Sequence, residues 1–402
     1  MMATPRVEQI ARTGPPWRAP LNEPVSTRRT RGLAIALAVL AALPAIGCDN
    51  RSVTADPRTP AAPVRPDDDQ LRQQIDEALD FTLAGRRLNL RDHAAWQIVH
   101  GAVAFQRDFQ VDVGGRLEPA IDYLLQGGTM QGWRFQPGDM LQGRRGLRSV
   151  LEPGSKSGQG HADQWLGYLS GCDLTPDQTI TVDGATYHLE DLVRQVEWDV
   201  PRNAAQEYSW TLMGLTTYRP SNYEWTAADG QTWSIAHLVE IEAGQDLNTS
   251  ACGGSHRLVG LTLAVNRHLT QGGKLEGAWK LADERIQQAI ATAREYQNPD
   301  GSFSANYFQR PGIAPDLAQA LGTTGHTLEF LVLALDEQRV REEWVRRAAA
   351  FLASAFQRTQ HVSLECGALY HAAHGLVFYR QRLFGPRTPP PAGEKSRAAD
   401  DV

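Results

Sequence analysis

The chain is poor in cysteine: only four occur in 402 residues, and none falls in a Cys-x-x-Cys pair. Isolated cysteines give no support to a zinc-finger role. Basic excess is also missing, since 40 Lys and Arg face 46 Asp and Glu for a net charge of −6. Without a basic stretch to neutralise phosphates, nucleic acid is excluded as the main partner. The apolar run from Leu33 to Leu43 stops well short of the roughly 20 residues that a membrane span requires. What is present, 42% hydrophobic and 21% charged residues, suits a folded, soluble body.

Arg28, Arg29 and Arg31 precede the apolar run, and Ala45-Ile46-Gly47-Cys48 follows it. A basic segment, a short apolar segment and a small residue before a cut describe a secretory signal. The cysteine after that small residue resembles the bacterial lipobox. The resemblance implies that Cys48 is lipidated, and that the protein is exported and held by membrane lipid at the cell envelope, on the periplasmic or surface side. The expected organisation is a signal peptide over 1–47 and a flexible tether over 48–69. A folded domain over 70–384 and a disordered tail over 385–402 complete it. The tether is rich in Pro, Ala, Asp and Arg and has no apolar period. Asp67, Asp68 and Asp69 are expected at the start of the next helix, where they complement its dipole. Beyond the signal, Cys172, Cys252 and Cys366 are odd in number and allow at most one internal disulfide. Shared placement before a helix favours Cys252 with Cys366 over either with Cys172, although the helices concerned are not neighbours.

The folded part repeats itself. Segments beginning near His93-Ala-Ala-Trp96, His161-Ala-Asp-Gln-Trp165, Glu207-Tyr-Ser-Trp210, His256-Arg257, His326-Thr-Leu-Glu329 and Tyr370-His371-Ala-Ala-His374 read as the same kind of helix. Second helices lie between them. Asp183-Gly184 with Thr186-Tyr187 returns at a constant offset as Asp229-Gly230 with Thr232-Trp233, and Val111-Asp-Val113-Gly114-Gly115 is a weaker copy. Asp-Gly between β-formers marks a hairpin, because the turn needs positive φ. Self-similarity at a helix-pair period marks an array whose units bury their faces on one another. The expected fold is all-α: an (α/α)6 toroid of about six helical hairpins with small β-hairpin insertions.

Glu284 to Tyr296 reads as a helix, ended by Gln297-Asn-Pro-Asp300-Gly301-Ser-Phe303. This glutamine followed by Asp-Gly-Ser-Phe resembles the glutamine–aromatic turns of the terpenoid cyclase and protein prenyltransferase superfamily, where the turn ties an outer helix to the next inner one. Ala368-Leu-Tyr370-His371-Ala-Ala-His374-Gly375-Leu376 resembles the last inner helix of prenyltransferase β subunits, in which a histidine binds zinc. The resemblance implies the toroid. The superfamily's chemistry does not follow: the aspartate-rich acid motif is missing from every inner-helix position, and neither Cys252 nor Cys366 has an aspartate two residues before it.

In a toroid the polar helix starts converge at one mouth, whose open N–H groups favour anions or carboxylates. The candidate catalytic residues are Glu207, Glu329, His161 and His326. Two carboxylates across a cavity suit glycoside hydrolysis. The candidate ligand-binding residues are His93, Trp96, Trp165, Trp210, His256, Arg257, Tyr370 and His371, since polar groups with aromatics suit a sugar ring. A metal reading takes Cys252 and His256, spaced i,i+4, with His371 or His374. Zinc accepts such donors, although its usual ligand spacings are missing. The Gly- and Arg-rich segment 126–160 reads either as a lid docked by Trp133 and Phe135 or as a surface insertion. Three functions are left: an envelope lipoprotein whose toroid binds or processes a glycan-like or other small-molecule ligand, a non-catalytic interaction scaffold, and a terpenoid cyclase- or prenyltransferase-like enzyme acting on an isoprenoid.

Overall fold

The computed structural model describes residues 67–203 and 206–387. The signal segment, Cys48, most of the tether and the tail from 388 lie outside the described residues. Within them the chain is mostly helical, with four small sheets.

Two kinds of helix alternate, and sequence pattern separates them. The first kind is apolar all round, as a helix enclosed by neighbours must be. It comprises α2 (Ala95–Phe105), α4 (Gln164–Leu169), α6 (Ser209–Tyr218), α8 (Ser255–Thr270), α10 (Leu317–Ala334) and α12 (Cys366–Phe384). In α10 every residue from Ala320 to Val332 is buried. The second kind carries one apolar stripe: α1 (Asp68–Ala84), α3 (Ala120–Leu125), α5 (Leu189–Asp199), α7 (Ile235–Gly244), α9 (Gly277–Glu295) and α11 (Glu343–Arg358). Thus α11 buries Val345, Ala348, Ala349, Leu352, Ala353 and Phe356 along one side, and α9 buries Trp279, Ala282, Ile286, Ala289, Ile290 and Ala293. Each even-numbered helix packs on the next, and α12 packs back on α2.

All three expected hairpins form. Strands β2 (Gln110–Val113) and β3 (Arg116–Pro119), which β1 (Leu88–Asn89) joins in parallel, lead directly into α3. Strands β6 (Thr179–Val182) and β7 (Ala185–His188) lead into α5, with Asp183 at φ 49° and Gly184 at φ 78° in the turn. Strands β8 (Glu224–Thr226) and β9 (Thr232–Ser234) lead into α7, where the Ser234 hydroxyl accepts the His237 amide. Segment 126–160 is also ordered, and Trp133 and Phe135 dock it on Trp165. The segment folds into a long hairpin, β4 (Trp133–Leu141) with β5 (Arg144–Leu151), that packs on α5. Arg148 fixes it there by pairing with Asp139 and Asp199.

Boundaries moved in three places. Helix α1 starts at Asp68, inside the expected tether, and Asp67 and Asp68 pair with Arg346 of α11. Helix α10 starts at Leu317, capped by Asp316, so His326 lies in its third turn instead of at its start. Helix α12 likewise starts at Cys366, capped by Glu365, and its histidines sit in the second and third turns. Gln297 ties one outer-type helix to another: its amide donates to the Trp344 carbonyl in α11 at 2.7 Å, and Arg347 donates to it at 2.7 Å. The link to α10 comes from Phe303, whose amide donates to Thr324 Oγ1 at 3.0 Å. Among the described residues no disulfide forms, as Cys172, Cys252 and Cys366 are all free.

The crossing of α10 and α12 is the closest in the chain's centre. A β-carbon at Gly325 would lie 2.6 Å from the Ala372 Cα, and one at Gly375 would lie 3.0 Å from the Glu329 amide nitrogen. Only glycine permits this approach of two backbones, and the approach brings four polar side chains, His326, Glu329, His371 and His374, onto one small volume.

Candidate functional site

Cys252 lies in a tight turn (Ala251–Gly254) just before α8. It holds φ 49° and ψ 39°, and Gly253 and Gly254 continue the left-handed path. A residue with a β-carbon is costly there, and such outliers gather at functional sites. The turn delivers the sulfur onto His256, in the first turn of α8, and His326. One donor atom from each of the three lies within 4.8 Å of the others.

The surrounding hydrogen bonds set the tautomers. His256 Nδ1 pairs with Glu207 Oε1 at 3.3 Å. His326 Nδ1 donates to the Gly322 carbonyl at 2.9 Å, and His371 Nδ1 pairs with Glu329 Oε2 at 2.8 Å. A ring whose Nδ1–H is given to a carboxylate or carbonyl presents a lone pair at Nε2, which is the arrangement that orients metal-binding histidines. The Nε2 atoms of His256 and His371 are buried and have no partner. The rings crowd together: His326 to His371 is 4.3 Å between centroids, and His256 to His371 is 5.3 Å.

Charge favours a thiolate. Burial alone would push the Cys252 thiol up, but His326 and His256 beside it bring it down to about 4. Burial likewise opposes charge on His256 and His326, and the thiolate outweighs it and raises both. Burial would raise Glu329, but His371 and His374 hold it well below the usual carboxylate range. Glu207, opposed by burial and held by His256, is lowered too. Neither carboxylate is kept protonated, as the acid of a glycoside hydrolase must be. Each instead orients an imidazole.

The predicted residues divide. His256, His326, His371, Glu207 and Glu329 come together, with His374 behind them on Glu329 at 2.5 Å. His374 thus supports the carboxylate, and the third donor beside Cys252 and His256 is His326. Trp210 joins the site between Tyr168, which it meets edge-on at 5.0 Å, and the tilted His256 ring at 4.9 Å. Trp96 lies 4.2 Å from the His100 ring. His161 is 5% exposed, with Nδ1 accepting from the Asp163 amide.

Four others serve structure. Arg257 turns away to Glu242, which also accepts from the Tyr208 amide and the Ser209 hydroxyl, so this buried clamp fixes the backbone beside Glu207 to the backbone beside His256. Tyr370 is fully buried against Phe105 and Phe109. Trp165 is fully buried under the β4–β5 hairpin, and His93 closes its own loop on Asn89.

Three site residues were not foreseen. His100 donates to the Trp96 carbonyl and meets the Tyr168 hydroxyl at 3.0 Å. Both stand about one turn after the helix starts that drew attention, His100 four residues after Trp96 and Tyr168 three after Trp165, so reading at i+3 and i+4 could have found them. Tyr307, from the loop before α10, covers Gly253 and had no local signal.

Beneath His256 and His371 is a cavity of about 20 Å³ walled by Ala102, Val103, Met213 and Val259, room for about one water. No protein-family model, curated protein or solved structure matches the chain.

Proposed function

We propose that the chain is a metal-dependent enzyme whose zinc centre is held by Cys252, His256 and His326 at the axis of a closed (α/α)6 toroid. The carrying observation is the convergence of one sulfur and two imidazoles within 4.8 Å, both rings having Nδ1 engaged elsewhere. Zinc takes such sulfur–nitrogen sets, and three protein ligands with one open position mark its catalytic form. When bound, zinc supplies a Lewis acid and an acidified water. Glu207 holds His256 in its binding tautomer, Glu329 does the same for the neighbouring His371, and the Glu242–Arg257 clamp keeps α6 and α8 in register. Contact of each even-numbered helix with the next, and of α12 with α2, supports ring closure and the likeness to the terpenoid cyclase and prenyltransferase toroids. Metal analysis of the purified protein is expected to give one zinc per chain; a metal-free protein that also fails to take up added zinc would refute the centre.

A second reading, a structural metal in an interaction scaffold, is favoured by one observation. The cavity is small and His371 Nε2 is unpartnered, so His371 could complete a closed four-ligand site. X-ray absorption separates the two: three protein donors and an exchangeable oxygen for the enzyme, four protein donors for the scaffold. A glycan-like ligand has less support, because Trp210 is 3% exposed and offers no free face.

The lipoprotein reading continues as a proposal, supported by Gly47-Cys48 after the apolar run. Expressed in a bacterium, the chain is expected to incorporate labelled fatty acid and to lose it in Cys48→Ser; equal labelling of both would refute acylation at Cys48.

A further inference from the structure

The cavity beneath His256 and His371 does not lead towards the starts of the even-numbered helices. Its lining runs the other way, to Gln106 just past the end of α2 and to Gly171 just past the end of α4. Two of its lining residues, Gln106 and His374, also line a second cavity. That one measures about 240 Å³ and lies between α1, the end of α2 and the last two turns of α12. A cavity of about 150 Å³ takes benzene, so this one has room for about ten non-hydrogen atoms. Neither reading above uses it.

Gln106, at the joint of the two cavities, is strained. It holds φ 53° and ψ −130°, a conformation open to glycine and costly to a residue with a β-carbon. Its amide donates to the Ala102 carbonyl, and its own carbonyl accepts the Phe109 amide at 3.3 Å. His374 is held at the same joint by Glu329 at 2.5 Å, the carboxylate that also orients His371 beside the centre.

The second cavity is of mixed character. Leu79, Leu83, Phe105, Val377 and Phe378 give it apolar walls, and apolar walls with a few placed polar groups are the make-up of small-molecule sites. The arginines around it are engaged: Arg107 with Asp122, Arg380 with Asp76 and Arg387 with Asp80. Asp108, which lines the cavity and is exposed at its rim, is left as a carboxylate that no described cation pairs with. The unbalanced charge is negative, so the complementary ligand carries a positive one.

We propose that this cavity is the substrate vestibule of the centre, and that it takes a small molecule with an aliphatic or aromatic body and a charged amino group. The body sits among the apolar walls, the ammonium meets Asp108 at the rim, and the inner end faces the passage at Gln106 and His374. The binding site stands on the cavity alone; its service to the centre rests on the metal reading.

The test titrates the full-length chain by calorimetry with 2-phenylethylamine and with 2-phenylethanol, its uncharged counterpart of matching size. Both should bind, the amine more tightly. Asp108→Asn should weaken the amine about threefold, the size of an exposed ion pair, and leave the alcohol unchanged. Val377→Trp, which fills the cavity from a half-buried position, should weaken both more than about tenfold. A second readout ties the cavity to the centre. In protein loaded with cobalt(II), the spectral response to added azide should be slower with the amine bound and faster in Gln106→Gly, which clears the joint. No binding of either probe to the unsubstituted chain overturns the vestibule and leaves the metal centre standing. Equal affinity for amine and alcohol overturns the charge assignment. Amine binding with an unaltered azide response overturns the link to the centre. Amine binding without any cobalt spectrum overturns the metal reading, and the substrate role with it, but not the binding site.

Discussion

Replacement of Cys252 by glycine is expected to abolish metal binding and to destabilise the metal-free protein, because His256 and His326 lose the thiolate that they face. Cys252 holds φ 49° and ψ 39°, which costs a residue with a β-carbon about 1–2 kcal/mol and glycine almost nothing. After the extra freedom of glycine in the unfolded chain is offset, a relief of up to about 1 kcal/mol is left, which makes up only part of that loss. Metal affinity falls further. Loss of an outer partner of a ligand alone costs about 10–100-fold, so loss of the only sulfur ligand should cost more than about 100-fold. Glu207→Gln supplies the comparison: it leaves all three donors and should fall within that 10–100-fold range. Isothermal titration with zinc and chemical denaturation of the metal-free proteins measure both arms. A Cys252→Gly variant that binds zinc as tightly as the parent would show that the turn is strained for some other purpose.

Glu329→Ala is expected to lower stability by about 2–4 kcal/mol, the cost of leaving two buried imidazole donors without their carboxylate acceptor. Glu329 is fully enclosed and accepts from His371 at 2.8 Å and His374 at 2.5 Å. Without it two imidazole donors remain in the interior with no acceptor, and the cavity adds its own term. The pH dependence has a definite sign. Because His371 and His374 hold the Glu329 carboxyl well below its usual value against the opposing effect of burial, its contribution is complete above about pH 4.5, the unfolded value, and is lost as pH falls from there towards the folded one. The stability difference between parent and variant should therefore be flat above about pH 5 and shrink below about pH 4. A difference that grows on acidification would mean that the carboxyl is protonated in the folded protein.

Much of this architecture could be read from the sequence where local chemistry is self-sufficient. Asp183-Gly184 forms a two-residue turn, and Asp229-Gly230 sits in the longer connection between Thr226 and Thr232; each gave its hairpin because local turn chemistry needs nothing from elsewhere. The ends of α10 and α12 were misplaced for a different reason. Thr323-Thr324-Gly325 looks like a break in a helix, yet Gly325 is there to admit Ala372, a demand made by a partner far along the chain. The cap that starts α10 is Asp316, which accepts the Gln319 amide at 2.8 Å. Site membership was legible only as residue type. Arg257 and His256 are neighbours in sequence, and a helix turns adjacent side chains about 100° apart, so one faces the sulfur and the other faces Glu242. Tyr307 depends on a loop cage of scattered contacts, which no periodicity announces.

The glycine-mediated crossing of α10 with α12 has a consequence for synthesis. The donors at Cys252, His256 and His326 leave the ribosome well before His371 and His374, which arrive with the last helix and dock on Glu329 and on α2. Until then Glu329 has no histidine to hold and α2 lacks its contact with α12. Contacts join segments from opposite ends of the folded chain, α12 to α2 and α11 to α1, and such distant pairings form late because chain entropy must be lost first. The centre therefore doubles as a record of completion: a nascent or truncated chain can display the thiolate and two of the imidazoles, but only the finished one can lock them.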